Sequence, residues 1–463
     1  MKRERWFDKL TRSQKQISMT FGFNDLRFEV AYWYNDVDLH FLEEKYGQEN
    51  MNKIYFHIMA FEINKLVSLQ PKTIDLGDYA RFHTEQFESF WQKIVRKIWV
   101  QWRYENNLPH YKEPEFISNP VESQLKSIEN QLELIKVLSF CGGGKDSLVA
   151  MKLLERARIP YSSFAYSSSV YGTQQHQHDL IKRLLKHGTQ CNHHALWVFD
   201  SFIDSPVLQL YPQYTSKSIK SAETPSSIFG SLPIVLQHGY HHIALGHERS
   251  ADAGNLIWEE TGEEVNHQWG KSFEAEVLIN NYIQNELISN FSYFSLLKPM
   301  YDVVIFNLLK LDIEGVSDTH SCSIQKPWCC KCAKCAYVWL NYMAYLPVDL
   351  VNSIFKTNLF DIQENQHWFY EMLGLGEHTP FECIGEISET RLAFELCRRK
   401  GLGGKAMDMY FQKFPNLDVA PILEKYLNID PTQANIPFEI KERIIPQIYD
   451  AAKETRQYIS QYC

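Results

Sequence analysis

No uninterrupted apolar run reaches about 18 residues, the length a helix needs to cross a bilayer, and the charged opening Met1–Phe7 has no apolar segment behind it. These absences exclude a helical membrane span and a secretory leader, so the expectation is a cytoplasmic protein with no membrane partner. Basic charge is also short: 47 Lys and Arg stand against 56 Asp and Glu, a formal net charge of -9. A surface of that sign has no broad reason to follow a phosphate backbone, which disfavours nucleic acid as a partner and base modification as an activity. Repeats and low-complexity tracts are lacking too.

What is there is ordinary globular usage, 44% apolar and 22% charged over 463 residues, enough for two or three packed units around one cleft. The ten cysteines are unevenly spread, with five between Cys322 and Cys335, which suits a metal site better than a disulfide framework.

Along the chain, Leu26–Tyr34 reads as a strand, Asn35-Asp36 as a turn and Val37–Leu42 as the second arm of a hairpin. Helical periodicity follows over Ile54–Leu69 and Thr84–Tyr104. Beyond a polar, proline-containing passage, short β-branched or aromatic runs alternate with helical ones. The expected strands are Ile135–Phe140, Tyr161–Tyr166, His193–Val198, His242–Gly246 and Phe291–Leu297. That alternation predicts an α/β fold with a mainly parallel sheet and helices on both faces, whose ligand sits at the carboxyl ends of the strands. The predicted divisions are an N-terminal α+β substrate-side domain over 1–130, an ATP-binding domain over 131–320, a cysteine site over 321–345 and a helical region over 346–463.

The first predicted strand runs into Gly142-Gly143-Gly144-Lys145-Asp146-Ser147 and then into a helix. Glycines let backbone N–H groups approach an anion, and the helix N-terminus adds its dipole. Lys145 offers a full charge and Asp146 a ligand for Mg2+. An aspartate after the lysine departs from a Walker loop. Glu248, Ser250 and Asp252, after the fourth predicted strand, are candidates for metal, ribose or phosphates; a solvated loop is the competing reading. Cys322, Cys329, Cys332 and Cys335 have the spacing of a closed tetrahedral zinc site, which would be structural, with Cys330 able to replace Cys329.

The glycine loop resembles the Ser-Gly-Gly-x-Asp-Ser loop of the N-type ATP pyrophosphatases, the PP-loop proteins, with Gly142 where serine is usual. Followed by four cysteines, it is similar to the 7-cyano-7-deazaguanine synthases. A narrower resemblance rests on His247–Ala251, Val265–Glu274, Tyr293–Pro299 and Phe381–Glu386, and more loosely on Trp102–Pro109. Together with the loop, these segments resemble the ATP-dependent UDP-N-acetylmuramoyl-L-alanyl-L-glutamate epimerases of bacterial cell-wall synthesis. The resemblance implies ATP, Mg2+ and structural Zn2+ as cofactors, a UDP-linked muramoyl peptide as small-molecule substrate, and release of AMP and pyrophosphate. It places His267 and Cys383 as proton-transfer residues with Lys271 beside them. Asn266, Gln268, Glu274 and Lys298 become substrate-binding candidates, Lys298 standing where arginine is expected. An amide- or nitrile-forming ligase and a non-catalytic nucleotide-binding protein remain the alternatives.

Overall fold

A computed structural model describes residues 6–129, 136–207 and 219–462. Numbering only the strands of its large sheet, these are β1 (Phe7–Arg12), β2 (Gln16–Phe23), β3 (Leu26–Tyr34), β4 (Val137–Phe140), β5 (Tyr161–Ser167), β6 (His193–Asp200), β7 (His242–Leu245) and β8 (Ser292–Ser295). Their order across the sheet is β1-β2-β3-β6-β5-β4-β7-β8. The five strands from β6 to β8 run parallel, while β1, β2 and β3 form an antiparallel meander that joins through β3 and β6.

Alternate residues along the parallel strands feed two different cores, as the two-residue period of a doubly covered sheet requires. Val137, Ala165, Ala244 and Phe294 face the helices Lys145–Arg156, Asp302–Leu308 and Ala333–Tyr345. Leu138, Phe164, Ile243 and Tyr293 face the helices Gln48–Glu62, Glu85–Glu105, Glu223–His238 and Phe273–Glu286. The N-terminal helices therefore cover one face and the C-terminal helices much of the other.

One expectation fails. Val37–Leu42 is not a strand: the Asp38 carboxylate accepts hydrogen bonds from the His40 and Phe41 N–H groups, both at 3.1 Å, and starts the helix Leu39–Tyr46. A short acceptor one residue before an apolar segment is an N-cap, and it outweighs the extended look of the sequence. The hairpin partner of β3 is β2, on its N-terminal side. The five expected parallel strands form within a few residues of their predicted bounds; Ile135, the start of the first, lies outside the described residues.

From β4 the chain moves to β5 and β6 on one side, then returns to place β7 and β8 on the other. The strand order thus reverses between β4 and β7, where the loops diverge beyond the carboxyl ends of the strands and open a crevice. Both glycine-bearing loops start there, at Gly142 and at Gly246.

Candidate active site

A cleft of about 540 Å³ occupies this switch point. One wall is the loop after β4. Gly144 caps the helix Lys145–Arg156 without any side-chain acceptor, so the first N–H groups of that helix are left for a ligand. Ser147 Oγ accepts the Gly142 N–H at 3.0 Å and holds the turn closed. The glycines have distinct reasons to lack a side chain. At Gly143, with φ +86°, a Cβ would collide with the His320 ring; at Gly144 it would come 2.7 Å from Ser321 Oγ. The His320 N–H also donates to the Gly143 carbonyl at 2.8 Å. The segment leading into the cysteine cluster therefore packs onto the loop and lines the cleft with His320, Ser321 and Cys322. Gly246 allows a second close approach, since a Cβ there would sit 3.1 Å from the Asp146 carbonyl.

Lys145 takes a different place from the expected one. It is 2% exposed and is not part of the cleft lining; it bonds Asp146 Oδ1 at 2.6 Å and Asp302 Oδ1 at 2.5 Å, beneath the loop. Burial opposes its charge, but the carboxylates of Asp146, Asp302 and Glu248 hold its pKa well above the usual lysine value. Asp146 does line the cleft, and burial together with Glu248 and Asp302 lifts it to about 6 despite Lys145. Glu248, also in the lining, goes the other way, to about 2: burial would raise it, but Lys145, Lys271 and Lys334 more than compensate. Two cleft carboxylates in a group with one buried lysine form an oxygen-rich set suited to a hard cation such as Mg2+.

The other wall is rich in cations: Lys220, Lys271 and Lys334 line it, with His267, Gln268, Glu382 and Cys383. One ring nitrogen of His267, a Glu382 oxygen and Cys383 Sγ lie within 4.8 Å of one another. His267 is held by its N–H, which donates to Asn255 Oδ1 at 2.9 Å, and by Nδ1, 2.8 Å from Gln101 Oε1. Burial, then Lys220, Lys271 and Lys334, push its pKa well below the usual imidazole value. Lys271 hydrogen-bonds Cys383; burial works against its charge, but the Cys383 sulfur and Glu248 hold its pKa above the ordinary value. Lys334 Nζ donates to the Cys383 carbonyl. Two groups acting on opposite faces of one carbon, each about 3–3.5 Å from it, would stand roughly 6–7 Å apart. His267 and Cys383 are closer than that, so in this arrangement they are neighbours on one side.

Several expected contacts lie outside the cleft lining. Ser250 Oγ accepts the Asp302 N–H at 3.2 Å, and Asp252 Oδ1 accepts the Phe273 N–H at 2.8 Å. Asn266 braces its own turn, with Nδ2 donating to the Ala251 carbonyl at 3.1 Å and Oδ1 accepting the Gln268 N–H at 2.7 Å. Lys298 is fully buried and ties two loops together: it donates to the Glu248 and Lys271 carbonyls, both at 2.8 Å, and to Asp252 Oδ1 at 3.0 Å. Glu274 accepts from Trp269 Nε1 at 2.9 Å and pairs with Lys93 at 3.0 Å and Lys97 at 3.5 Å near the surface. These five position the loops around the cleft. Gln268 does line it, with Nε2 donating to the Ile384 carbonyl at 2.9 Å while Oε1 is buried without a partner among the described atoms.

Cys322, Cys329, Cys332 and Cys335 bring their sulfurs within 4.8 Å of one another, a set that could bind a metal such as zinc. Cys330 is not in that set; its backbone has φ 63° and its carbonyl accepts from Asn365 Nδ2 at 2.9 Å. Cys329 is thus the neighbour whose sulfur joins the other three.

Family models extend over this same machinery. One described as the MurL N-terminal domain matches residues 226–296, and one described as the MurL C-terminal domain matches residues 318–407. Both matches support the MurL family. The two MurL matches take in Glu248, His267 and Lys271, then the four cysteines and Cys383. Curated relatives bear the name UDP-N-acetyl-alpha-D-muramoyl-L-alanyl-L-glutamate epimerase. That of Micromonospora sp. is 28% identical over 316 residues, 65% of this chain and 66% of the relative. That of Salinispora tropica is 26% identical over 65% of this chain and 64% of the relative. That of Xanthomonas oryzae pv. oryzae is 26% identical over 385 residues, 78% of each. The chain therefore spans just under two thirds of the length of the first two relatives.

Residues that sequence reasoning missed are Gln101, Lys220, His320, Lys334 and Glu382. Lys334 and His320 had a local signal, their position beside the cysteines, and Glu382 lies within the segment Phe381–Glu386 that carries part of the resemblance. Gln101 and Lys220 come from segments with no motif; folding alone puts Lys220 in the cleft lining and Gln101 against Lys220 and His267.

Proposed function

We propose that this MurL-family chain is an ATP-dependent epimerase that adenylates the terminal L-glutamate carboxylate of UDP-MurNAc-L-Ala-L-Glu, or of a similar peptide, and inverts its Cα. The observation that carries the reading is a single cleft with two chemistries: an open glycine loop at a helix N-terminus beside carboxylates, facing an imidazole and a thiol among lysines.

The loop from Gly142 to Ser147 binds the β and γ phosphates of ATP through its amides beyond Gly142, whose own N–H is held by Ser147. Asp146 and Glu248 are the residues suited to hold Mg2+, which when bound offsets charge on the departing diphosphate. The substrate carboxylate attacks the α phosphorus, the bond to the bridging oxygen breaks, and pyrophosphate leaves. Esterification removes the negative charge next to Cα, so the acyl oxygen can take up enolate density when the α proton is removed. Neutral His267, with Cys383 and Lys271 beside it, takes that proton, and Lys220 and Lys334 hold the anionic end of the peptide. A solvent proton delivered to the opposite face inverts the centre. Hydrolysis of the mixed anhydride then frees AMP and the product carboxylate. The four cysteines hold Zn2+ as a structural brace that keeps His320 and Ser321 against the loop.

The decisive experiment incubates the protein with Mg-ATP and UDP-MurNAc-L-Ala-L-Glu in D2O. Pyrophosphate release together with D-glutamate carrying deuterium at Cα is the expected result. Pyrophosphate release with an amide product, or with no change at Cα, rejects the reading.

A further inference from the structure

Gln101 sits near the end of the helix Glu85–Glu105, 6% exposed and far from His267 in sequence. Its side-chain oxygen meets two nitrogens, Lys220 Nζ at 2.9 Å and His267 Nδ1 at 2.8 Å. An amide's oxygen and nitrogen are told apart only by their partners. Here the lysine decides: an ammonium has three hydrogens and no lone pair, so the atom it meets is the oxygen. That oxygen has no hydrogen to give, so the proton in the contact with His267 belongs to Nδ1.

We propose that Gln101 is a positioning residue that fixes the tautomer of His267, placing the single imidazole proton on Nδ1 and leaving Nε2 as the basic nitrogen. The charged and titratable groups around the ring are Lys220, Lys271 and Lys334, with Glu382 and Cys383 at its ligand-atom side. Three cations and burial keep the imidazole neutral, so one proton remains to be located, and Gln101 locates it. The neutral amide matters as much as its shape. A carboxylate at the same position would attract a second proton and turn the base into an imidazolium, whereas an amide oxygen orients the ring without doing so. The N-terminal region thus supplies the control of a base carried by the β7–β8 connection.

The kinetic consequence rests on the epimerase reading; the tautomer itself does not. The test uses the full chain labelled with 15N-histidine, the His267 signals being identified by their loss in His267→Asn. In the ligand-free wild type, Nδ1 is expected at the position of a protonated nitrogen and Nε2 at that of a bare one; the reverse pattern overturns the proposal. The second readout is Cα exchange with UDP-MurNAc-L-Ala-L-Glu across about pH 5.5 to 8.5. Wild type is expected to show no loss of rate on the acid side attributable to His267. The isosteric Gln101→Glu is expected to acquire one, its rate falling as pH drops below about 7 because the new carboxylate raises the His267 pKa. Gln101→Leu, which cannot hold the proton, is expected to lose about 10- to 100-fold in kcat with substrate KM changed by less than about threefold. A Gln101→Glu profile that superimposes on wild type after scaling also overturns the proposal. Should wild type show no exchange at all, the epimerase reading fails, and the nitrogen spectra still decide the tautomer.

Discussion

The two walls of the cleft differ in the sign of what they lack. Below the glycine loop, Asp146, Glu248 and Asp302 crowd around one buried lysine, and the cost of that crowding shows in Asp146, lifted to about 6. Across the cleft, Lys220, Lys271 and Lys334 surround a histidine whose proton affinity they lower. The first wall is incomplete without a cation and the second without an anion. A chain with net charge -9 has thus concentrated lysines where its overall charge would not suggest them. The loop packs with the C-terminal helices, whereas the cationic wall draws on both layers: Lys334 lies on the helix Ala333–Tyr345, and Gln101, behind His267, on the helix Glu85–Glu105.

That contrast can be broken most severely from behind the loop. Replacing Cys332 and Cys335 together by serine should reduce bound metal from about one per chain to none, because four-thiolate sites rarely survive two losses. ATP binding should fall with it, as His320 and Ser321 lose their anchor; elemental analysis and nucleotide titration check both. Cys383→Ser should keep the metal, and its loss there would erase the distinction between the thiol in the cleft and the thiols in the brace.

Next in size are single changes in each wall. His267→Ala should lower Cα exchange by about 10²- to 10⁴-fold, the range for removing a general base, and leave pyrophosphate release largely intact. Asp146→Asn should abolish both, since adenylation precedes exchange. Equal loss of both activities in His267→Ala would mean the walls are not separable.

Smaller is the effect of thinning the cationic wall. Lys220→Met or Lys334→Met should raise the peptide KM by about 10- to 100-fold, equivalent to about 1.4–2.7 kcal/mol, with ATP KM changed little.

The smallest effect is in pH. Asp146 has a folded pKa of about 6 against an ordinary 3.8, so the folded chain binds this proton more tightly and stability from this group declines as pH rises through that window. Mg2+ should reverse that decline. The rise in melting temperature on adding Mg2+ is therefore expected to be several degrees at pH 8 and near zero at pH 5. An equal rise at both would separate Asp146 from the cation.

How much was legible in advance follows the distance over which each feature is built. The parallel strands, the loop Gly142–Ser147 and the four cysteines are each written in short stretches of chain, and short stretches carry their own backbone geometry. The Val37–Leu42 run misled because its extended appearance competes with a one-residue cap at Asp38, a local signal weaker to the eye but stronger in hydrogen bonds. Lys145 misled in another way: its place after the glycines suggested a phosphate contact, yet Asp302 claims it from a helix more than 150 residues later.

By itself, then, the sequence determined an α/β chain with a glycine loop at a helix start, a four-cysteine cluster and the segments that resemble the MurL family. Only the tertiary structure decided which side chains share the cleft. It turned Lys145, Ser250, Asp252, Asn266, Glu274 and Lys298 to bracing, brought in Lys220, His320, Lys334 and Glu382, and set Gln101 behind His267. The reason is physical: a helix start or a cysteine cluster is specified by neighbours in the chain, whereas the charge around a histidine is set by whatever the packing of two layers carries within a few ångströms of it.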